Sequence, residues 1–318
     1  CPDLPLNVSR SALQNDGFVQ KISEYISKKV ADKLTGMCKT DRESYEKYWD
    51  DISPFIKFGC IKDSKFAEKL HDYILFKDID GKYLTLKDCI EQNKKEDAAE
   101  KAEDTEKKEN SENKDEKKEP EKTTIFYVTD PVQQSQYINM FREAGKNAVI
   151  LSHNIDTTFI SHLEQKDQTI QFKRIDADVT EELKGEGAAD ENTAKTLTEL
   201  FRKNLNMEKL EVKAENLKNE SVAAMMTLSE ESRRMQDMMK MYNMYGMDPG
   251  MFGGQETLVL NVSHPLVKYL AENQESEHAA VICQQLYDLA MLSHKQLSPD
   301  EMTKFVQRSN EILMLLTK

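Results

Sequence analysis

The chain has 318 residues, 38% of them hydrophobic and 32% charged, with a formal net charge of −13 and a mean hydropathy of −0.69. This length allows two or three compact units, each with its own core, while the low hydrophobic share points to some unfolded sequence as well. The acidic balance argues against sequence-independent binding to nucleic acid or to an anionic membrane, since both need a basic field.

No apolar run approaches the roughly 18 residues of a spanning helix, and no signal peptide is visible, so the chain reads as cytoplasmic. It opens on CPDLPL without an initiator Met, which reads as a piece of a longer protein, with processing as the other route to such a start. Cys1, Cys38, Cys60, Cys89 and Cys283 are odd in number, scattered and without a CxxC pair, a pattern that favours neither a disulfide framework nor a zinc site.

Residues 1–90 read as helical. Phe18, Ile22, Tyr25, Ile26, Val30 and Leu34 keep a helical period, and Gly36 is placed to end it. A second helix carries Tyr45, Tyr48, Trp49 and Ile52 on one face and meets Pro54, which is expected to end or kink it. A third opens near Asp63 and Ser64 with Phe66, Leu70, Tyr73 and Ile74. Three such stripes bury one another as a helical layer.

Residues 91–122 form a charged stretch whose apolar side chains are Ala98, Ala99 and Ala102, with thirteen acids and nine bases. So little apolar surface cannot offset an ordering entropy of roughly 1–2 kcal/mol per residue. The stretch reads as a disordered or frayed-helical insertion, with a partner-binding tail as the less favoured alternative.

From Thr123 the pattern changes. TTIFYVT is β-branched and aromatic, Asp130 and Pro131 form a cap and first-turn pair for a helix running to Gly145, and NAVILS follows as a second strand. A short helix from Asp156 leads to a third strand, QTIQFKRID, so residues 123–182 read as a βαβαβ unit. ELKGEGAADENT reads as a linker; its GEG lacks the further spacing of a phosphate loop. Beyond it come a helix with Leu197, Leu200, Phe201 and Leu205, strands at LEVKAENL and TLVLNV, and three terminal helices, together a second domain over residues 190–318.

The last helices are the most strongly specified. Ser298, Pro299 and Glu301 occupy cap, first-turn and capping-box positions. The helix behind them carries Met302, Phe305, Val306, Ile312, Leu313 and Leu316, and the preceding helix carries Ile282, Cys283, Leu286, Leu289, Ala290 and Met291. Two adjacent amphipathic helices make half of a four-helix bundle, so a homodimer completing the other half is expected, with Ile282, Leu286, Leu289, Phe305, Ile312 and Leu316 at its interface. The competing reading packs both helices on their own domain.

Residues 225–252 hold nine of the 15 methionines. Met235, Met238, Met241 and Tyr242 share a helix face, and unbranched, polarizable methionine suits surfaces that accept many shapes. Ordinary core is the plain alternative; the flanking Gly, Asp and Pro favour a mobile element. The histidines form no HExxH or comparable metal or nucleophile motif. Arg10 and Gln14, at i and i+4 in DLPLNVSRSALQ, share a helix face. Arginine offers a planar fork of donors suited to phosphate, although such a pair more often forms a solvated face.

DLPLNVSRSALQ resembles the catalytic-loop segment in the middle domain of the ninety-kilodalton heat-shock chaperones. YWDDISPFIKFGCIKDSKFAEKL, LVLNVSHPLVKYL and ICQQLYDLAMLS resemble later stretches of that family, in the same order. The resemblance implies a dimeric ATP-driven chaperone whose nucleotide site lies in an N-terminal domain absent from this sequence. It implies that Arg10 reaches the γ-phosphate with Gln14 as its companion, that Met235, Met238, Met241 and Tyr242 contact unfolded or partly folded clients, and that the last two helices form the dimer interface. Family members often carry Glu where this chain has Ser11, and the charged stretch interrupts a connection that is normally short. The chain ends at LLTK with no acidic extension, which resembles the bacterial HtpG type.

The expected fold is α+β, mixed and helix-rich: a helical middle-domain part over residues 1–90, the charged insertion over 91–122, a small layered αβ subdomain over 123–182, and a C-terminal dimerisation domain over 190–318. ATP and Mg²⁺ are expected in the parent protein and no cofactor on this chain. Expected partners are a second copy, client proteins and the chain's own N-terminal ATP-binding domain, with neither nucleic acid nor membrane. A nucleotide-independent dimeric scaffold that binds peptides or helices through the Met-rich surface is the rival; a stand-alone metal or nucleophile enzyme has no motif behind it.

Overall fold

The computed structural model describes residues 17–93, 122–177, 183–185, 187, 189–230, 232, 234, 256–315 and 317. It is a mixed α+β chain in which helices outweigh strands. Its contacts define two compact units: Cys1–Thr124 with His153–Gln171, and Ile125–Ser152 with Phe172–Lys318.

The first unit is built on α1 (Gly17–Thr40), α2 (Arg42–Lys62) and α3 (Ser64–Leu70). α1 continues past Gly36 to Thr40, and α2 runs through Pro54 to Lys62, so neither residue ends its helix. An exposed helix tolerates an internal Gly at about 1 kcal/mol, and the Asp50 carbonyl that Pro54 leaves without a donor belongs to an exposed residue open to water. α3 starts as expected: the Asp63 carboxylate accepts from Lys65 N–H and Phe66 N–H. The α2–α3 corner is tight, because a Cβ at Gly59 would stand 2.9 Å from the Phe66 ring.

Tyr45 and Trp49 of α2 are buried with ring centroids 5.3 Å apart, and the Tyr45 hydroxyl donates to the Tyr73 carbonyl at 2.9 Å. Tyr48 is exposed, so the expected single face of Tyr45, Tyr48, Trp49 and Ile52 is divided between core and solvent. The reading of residues 1–90 as wholly helical also needs correction: β1 (Leu75–Asp78) and β2 (Tyr83–Thr85) form an antiparallel hairpin with Phe76 opposite Leu84. Gly81 takes φ +83 in its turn, and the buried Asp78 carboxylate accepts from Asp80 N–H and Lys82 N–H. A helix, α4, follows over residues 86–93.

β3 (Thr123–Val128) and β5 (Ile170–Arg174) straddle the division between the units. α6 (Asn154–Lys166) belongs to the first unit, and its capping box is made by His153 and Asp156. In the second unit β3 pairs in parallel with β4 (Val149–Ile150), Tyr127 opposite Val149. The connecting α5 (Ser135–Glu143) begins later than Pro131, after a turn in which Asp130 accepts from Val132 N–H and Gln133 N–H. Phe126 and Phe141 meet edge to face at 5.0 Å.

The rest of the second unit is a three-stranded sheet under helices. β6 (Glu211–Glu215) runs parallel to β8 (Thr257–Asn261), and β7 (Ala224–Thr227) runs antiparallel to it, in the order β6-β8-β7. Every residue of β8 is buried, which explains its unbroken apolar run. α7 (Glu191–Leu205), α8 (Pro265–Glu272) and α9 (Ala279–His294) share one core with the sheet through Leu197, Phe201, Met226, Leu258, Leu270 and Cys283. Each of these Leu, Phe and Met side chains contributes about 1.5–3 kcal/mol on burial. Asn261, fully buried, closes the end of β8: it accepts from Leu217 N–H and Ser263 N–H and donates to the Asn219 and Val222 carbonyls. α10 (Pro299–Leu315) ends the described fold, with Ser298 and Glu301 forming the expected reciprocal cap.

Candidate functional site

Arg10 and Gln14 lie outside the described residues, as do Met235, Met238, Met241 and Tyr242. Two other methionines of the Met-rich stretch are described: Met225 and Met226 are fully buried in β7. Those two are sheet core and not part of a mobile surface. Their β-strand neighbours and the antiparallel pairing with Val259 and Leu258 explain the difference.

The described part of the expected interface is the pair α9 and α10. α9 turns Cys283, Leu286, Ala290 and Met291 into its own unit's core, so Leu286, 3% exposed, is not a free interface side chain. Ile282 is half-buried against the same core, and Leu289, 46% exposed, points away from it.

α10 has no buried residue. It is held to α9 by polar contacts: Arg308 pairs with Asp288, its Nε donates to Gln285 Oε1 at 2.9 Å, and Gln285 Nε2 donates to Ser309 Oγ at 3.1 Å. Helical spacing puts Met302, Phe305, Val306, Ser309, Ile312 and Leu313 on one face. Phe305 and Ile312 are half-buried, while Val306 is 50% and Leu313 59% exposed. Leu316 lies outside the described residues. The side of α10 toward α9 therefore carries Phe305, Arg308, Ser309 and Ile312, while Met302, Val306 and Leu313 form an apolar edge that remains turned outward.

The electrostatics of the second unit centre on residues far apart in sequence. Arg174 Nε lies 2.8 Å from Asp176 Oδ1. The almost fully buried His294 stands with Nδ1 3.8 Å from Asp176 and Nε2 3.6 Å from Glu256, and Lys295 Nζ donates to Glu256 Oε1 at 2.7 Å. His294 first, then Lys295, hold the Glu256 carboxyl down at about 2 against the opposing effect of burial. Glu230 accepts from the Tyr127 hydroxyl at 2.8 Å and from Arg174 N–H at 2.9 Å; burial first, then the Glu230 charge, push the Tyr127 phenol well above its usual range. Sequence reading missed this cluster because its members share no local motif.

In the first unit, Lys57 and Asp156 form a buried ion pair between α2 and α6 at 2.5 Å. Burial pushes the Cys60, Cys89 and Cys283 thiols up to about 12. Among the described residues no group of His, Cys, Asp and Glu side chains has metal-holding geometry, and no helix is long and apolar enough to cross a membrane.

The family model described as Hsp90 protein matches residues 1–99 and 115–318, and the unmatched residues fall inside the charged stretch. The chain is 35% identical over 293 residues to a chaperone protein HtpG of Bacteroides fragilis, covering 88% of this chain and 40% of that one. It is 32% identical over 289 residues to a chaperone protein HtpG of Bacteroides thetaiotaomicron, covering 86% and 39%. A chaperone protein HtpG of Magnetococcus marinus is 28% identical over 337 residues, covering 98% and 47%. The chain therefore spans about two-fifths of the length of the first of these relatives, and with a family match over nearly all of its residues it belongs to the Hsp90 protein family.

Proposed function

We propose that this chain is the middle and C-terminal portion of an ATP-dependent, cytoplasmic chaperone that assists folding and binds unfolded or partly folded proteins. The observation that carries the reading is the ordered family match over residues 1–99 and 115–318. The domain organisation follows the same reading: residues 1–90 and 123–182 belong to the middle domain, 91–122 to an insertion, and 190–318 to the dimerisation domain.

In this reading two copies associate through Val306 and Leu313 on the outward edge of α10, with Phe305, Ile312 and Leu316 beside them and with Leu289 and Ile282 of α9 at the rim. The exposed apolar face of α10 supports it, since a partner helix pair completes a bundle core. Leu286 supports the α9 framework from inside its own core. Met235, Met238, Met241 and Tyr242 take apolar segments of clients.

In the longer protein ATP and Mg²⁺ sit on an N-terminal domain, and this chain alone carries neither. Arg10 presents its guanidinium fork to the γ-phosphate when that domain docks, and Gln14 holds a phosphate oxygen or a water beside it. Replacing Arg10 by Ala in the longer protein is expected to lower ATP turnover by 10²-fold or more with nucleotide affinity retained; unchanged turnover removes Arg10 from the reaction. The rival scaffold reading differs in one measurable way: its partner binding does not depend on nucleotide in the longer protein.

A further inference from the structure

α2 shows solvent a ridge that no other described element covers. Phe55 is 79% exposed, and Phe58 and Tyr48 are about half exposed on either side of it. Tyr48, Phe55, Phe58 and Lys62 are spaced 7, 3 and 4 residues apart, so they line one helix face. That face spans about 21 Å at about 1.5 Å per residue. The two outer rings carry cations: Lys47 Nζ stands 5.8 Å from the Tyr48 ring centre and Lys62 Nζ 5.7 Å from that of Phe58. The central ring, Phe55, has none of the observed ring–cation contacts. Singly exposed apolar residues are ordinary, but three aromatic rings in register on one helix are a docking ridge.

The ridge also indicates its occupant. Lysines at both ends favour carboxylates at both ends of the partner, about three to four turns apart, with apolar residues between them to cover Phe55 and Phe58. The backbone of α2 is used within its own helix and offers no strand edge, so an extended peptide would leave its own N–H and C=O groups unpaired under the apolar contact. A helix brings those groups already satisfied, and the 7-3-4 spacing is that of a helix-on-helix seam. Asp51, exposed on the same face, faces a polar or basic position of the partner. We propose that the aromatic ridge of α2, centred on Phe55, docks an acidic amphipathic helix of a partner protein. This site is separate from α10 and independent of nucleotide, so it stands or falls apart from the chaperone reading.

The test uses the 318-residue chain and fluorescence anisotropy with two stapled helical peptides of about 18 residues, stapled because free helices of that length are marginal. They share one Leu stripe; one carries Glu at both ends and the other carries Lys. The Glu peptide is expected to bind at least tenfold more tightly than the Lys peptide, and about 500 mM salt should weaken it severalfold. F55S/F58S should reduce its affinity at least tenfold with an unchanged thermal transition. K47E/K62E, which alters only exposed charges, should reverse the preference between the peptides. Equal binding of both peptides, or full binding by either variant, overturns the proposal. Loss of binding in V306D instead places the peptide on α10 and overturns it too. A sedimentation shift caused by F55S/F58S without peptide shows that a second copy occupies the ridge, again against the proposal.

Discussion

Lys57 Nζ donates to Asp156 Oδ1 at 2.5 Å, and both side chains are almost completely buried. The second carboxylate oxygen of Asp156 accepts from His153 N–H at 2.9 Å, so one acid both neutralises a lysine of α2 and caps α6. The rings of Phe76 and Phe159 each lie 6.0 Å from the ammonium and exclude water.

Removing one partner of such a pair leaves an uncompensated buried charge. Asp156→Asn keeps the cap geometry but strands Lys57, and is expected to cost about 3–5 kcal/mol. Lys57→Met with Asp156→Asn should recover most of that loss, because the pair itself contributes little over an apolar pair of similar volume. Urea denaturation followed by far-UV circular dichroism checks this; equal stability of the single and double variants would contradict it.

The Glu256 carboxyl titrates at about 2 in the fold, below its ordinary value of 4.5, chiefly through His294 and then Lys295. A depressed folded value stabilises the fold above the ordinary value, and that stabilisation is lost as pH falls through the folded one. Glu256→Gln should therefore be less stable than the parent chain at pH 7 by about 1–3 kcal/mol. The gap should close as pH falls from about 4.5 toward 2. Stability measured at intervals across that range checks the sign; a gap that widens on acidification rejects the assignment.

Cys60, Cys89 and Cys283 are buried with thiols near 12, so the thiolate is scarce at neutral pH. Among the four cysteines of the described residues, alkylation at pH 7.5 followed by peptide mass mapping should label half-buried Cys38 ahead of the others. The three buried thiols should react at least tenfold more slowly until denaturant is added. Rapid labelling of Cys283 in the native chain would show that the α9 core opens.

Much of this fold could be read from local signals. The Ser298–Glu301 box, the Asp63 cap and the apolar run of β8 each carry their own physics within a few residues. The hairpin at Leu75–Thr85 carries a signal too, Asp80-Gly81, but the helical period of the preceding residues masks it. Gly36 and Pro54 do not stop their helices, because a helix on a unit's surface tolerates both residue types. Burial direction was harder. α9 is apolar on more than one side, so spacing alone could not tell that Leu286 faces its own core while Leu289 faces outward. The same limit hid the outward turn of Tyr48 beside buried Tyr45 and Trp49. The Asp176, His294 and Glu256 cluster lies beyond local reading altogether, since only the fold brings those segments together.

The core replacements separate these roles. Leu286→Ala should destabilise the second unit by about 2–5 kcal/mol and leave association of the folded chain unchanged. Leu289→Ser should do the reverse. A thermal melt paired with sedimentation velocity on both variants distinguishes them, and matching behaviour of the two would contradict the burial directions.

The most direct measurement is the solution mass of the chain by light scattering at micromolar concentration, for the parent and for V306D/L313D. The parent is expected at twice the 36.7 kDa protomer mass and the variant at a single protomer, still folded. A parent chain with the mass of one protomer, or a variant that keeps the doubled mass, would contradict association through the outward face of α10.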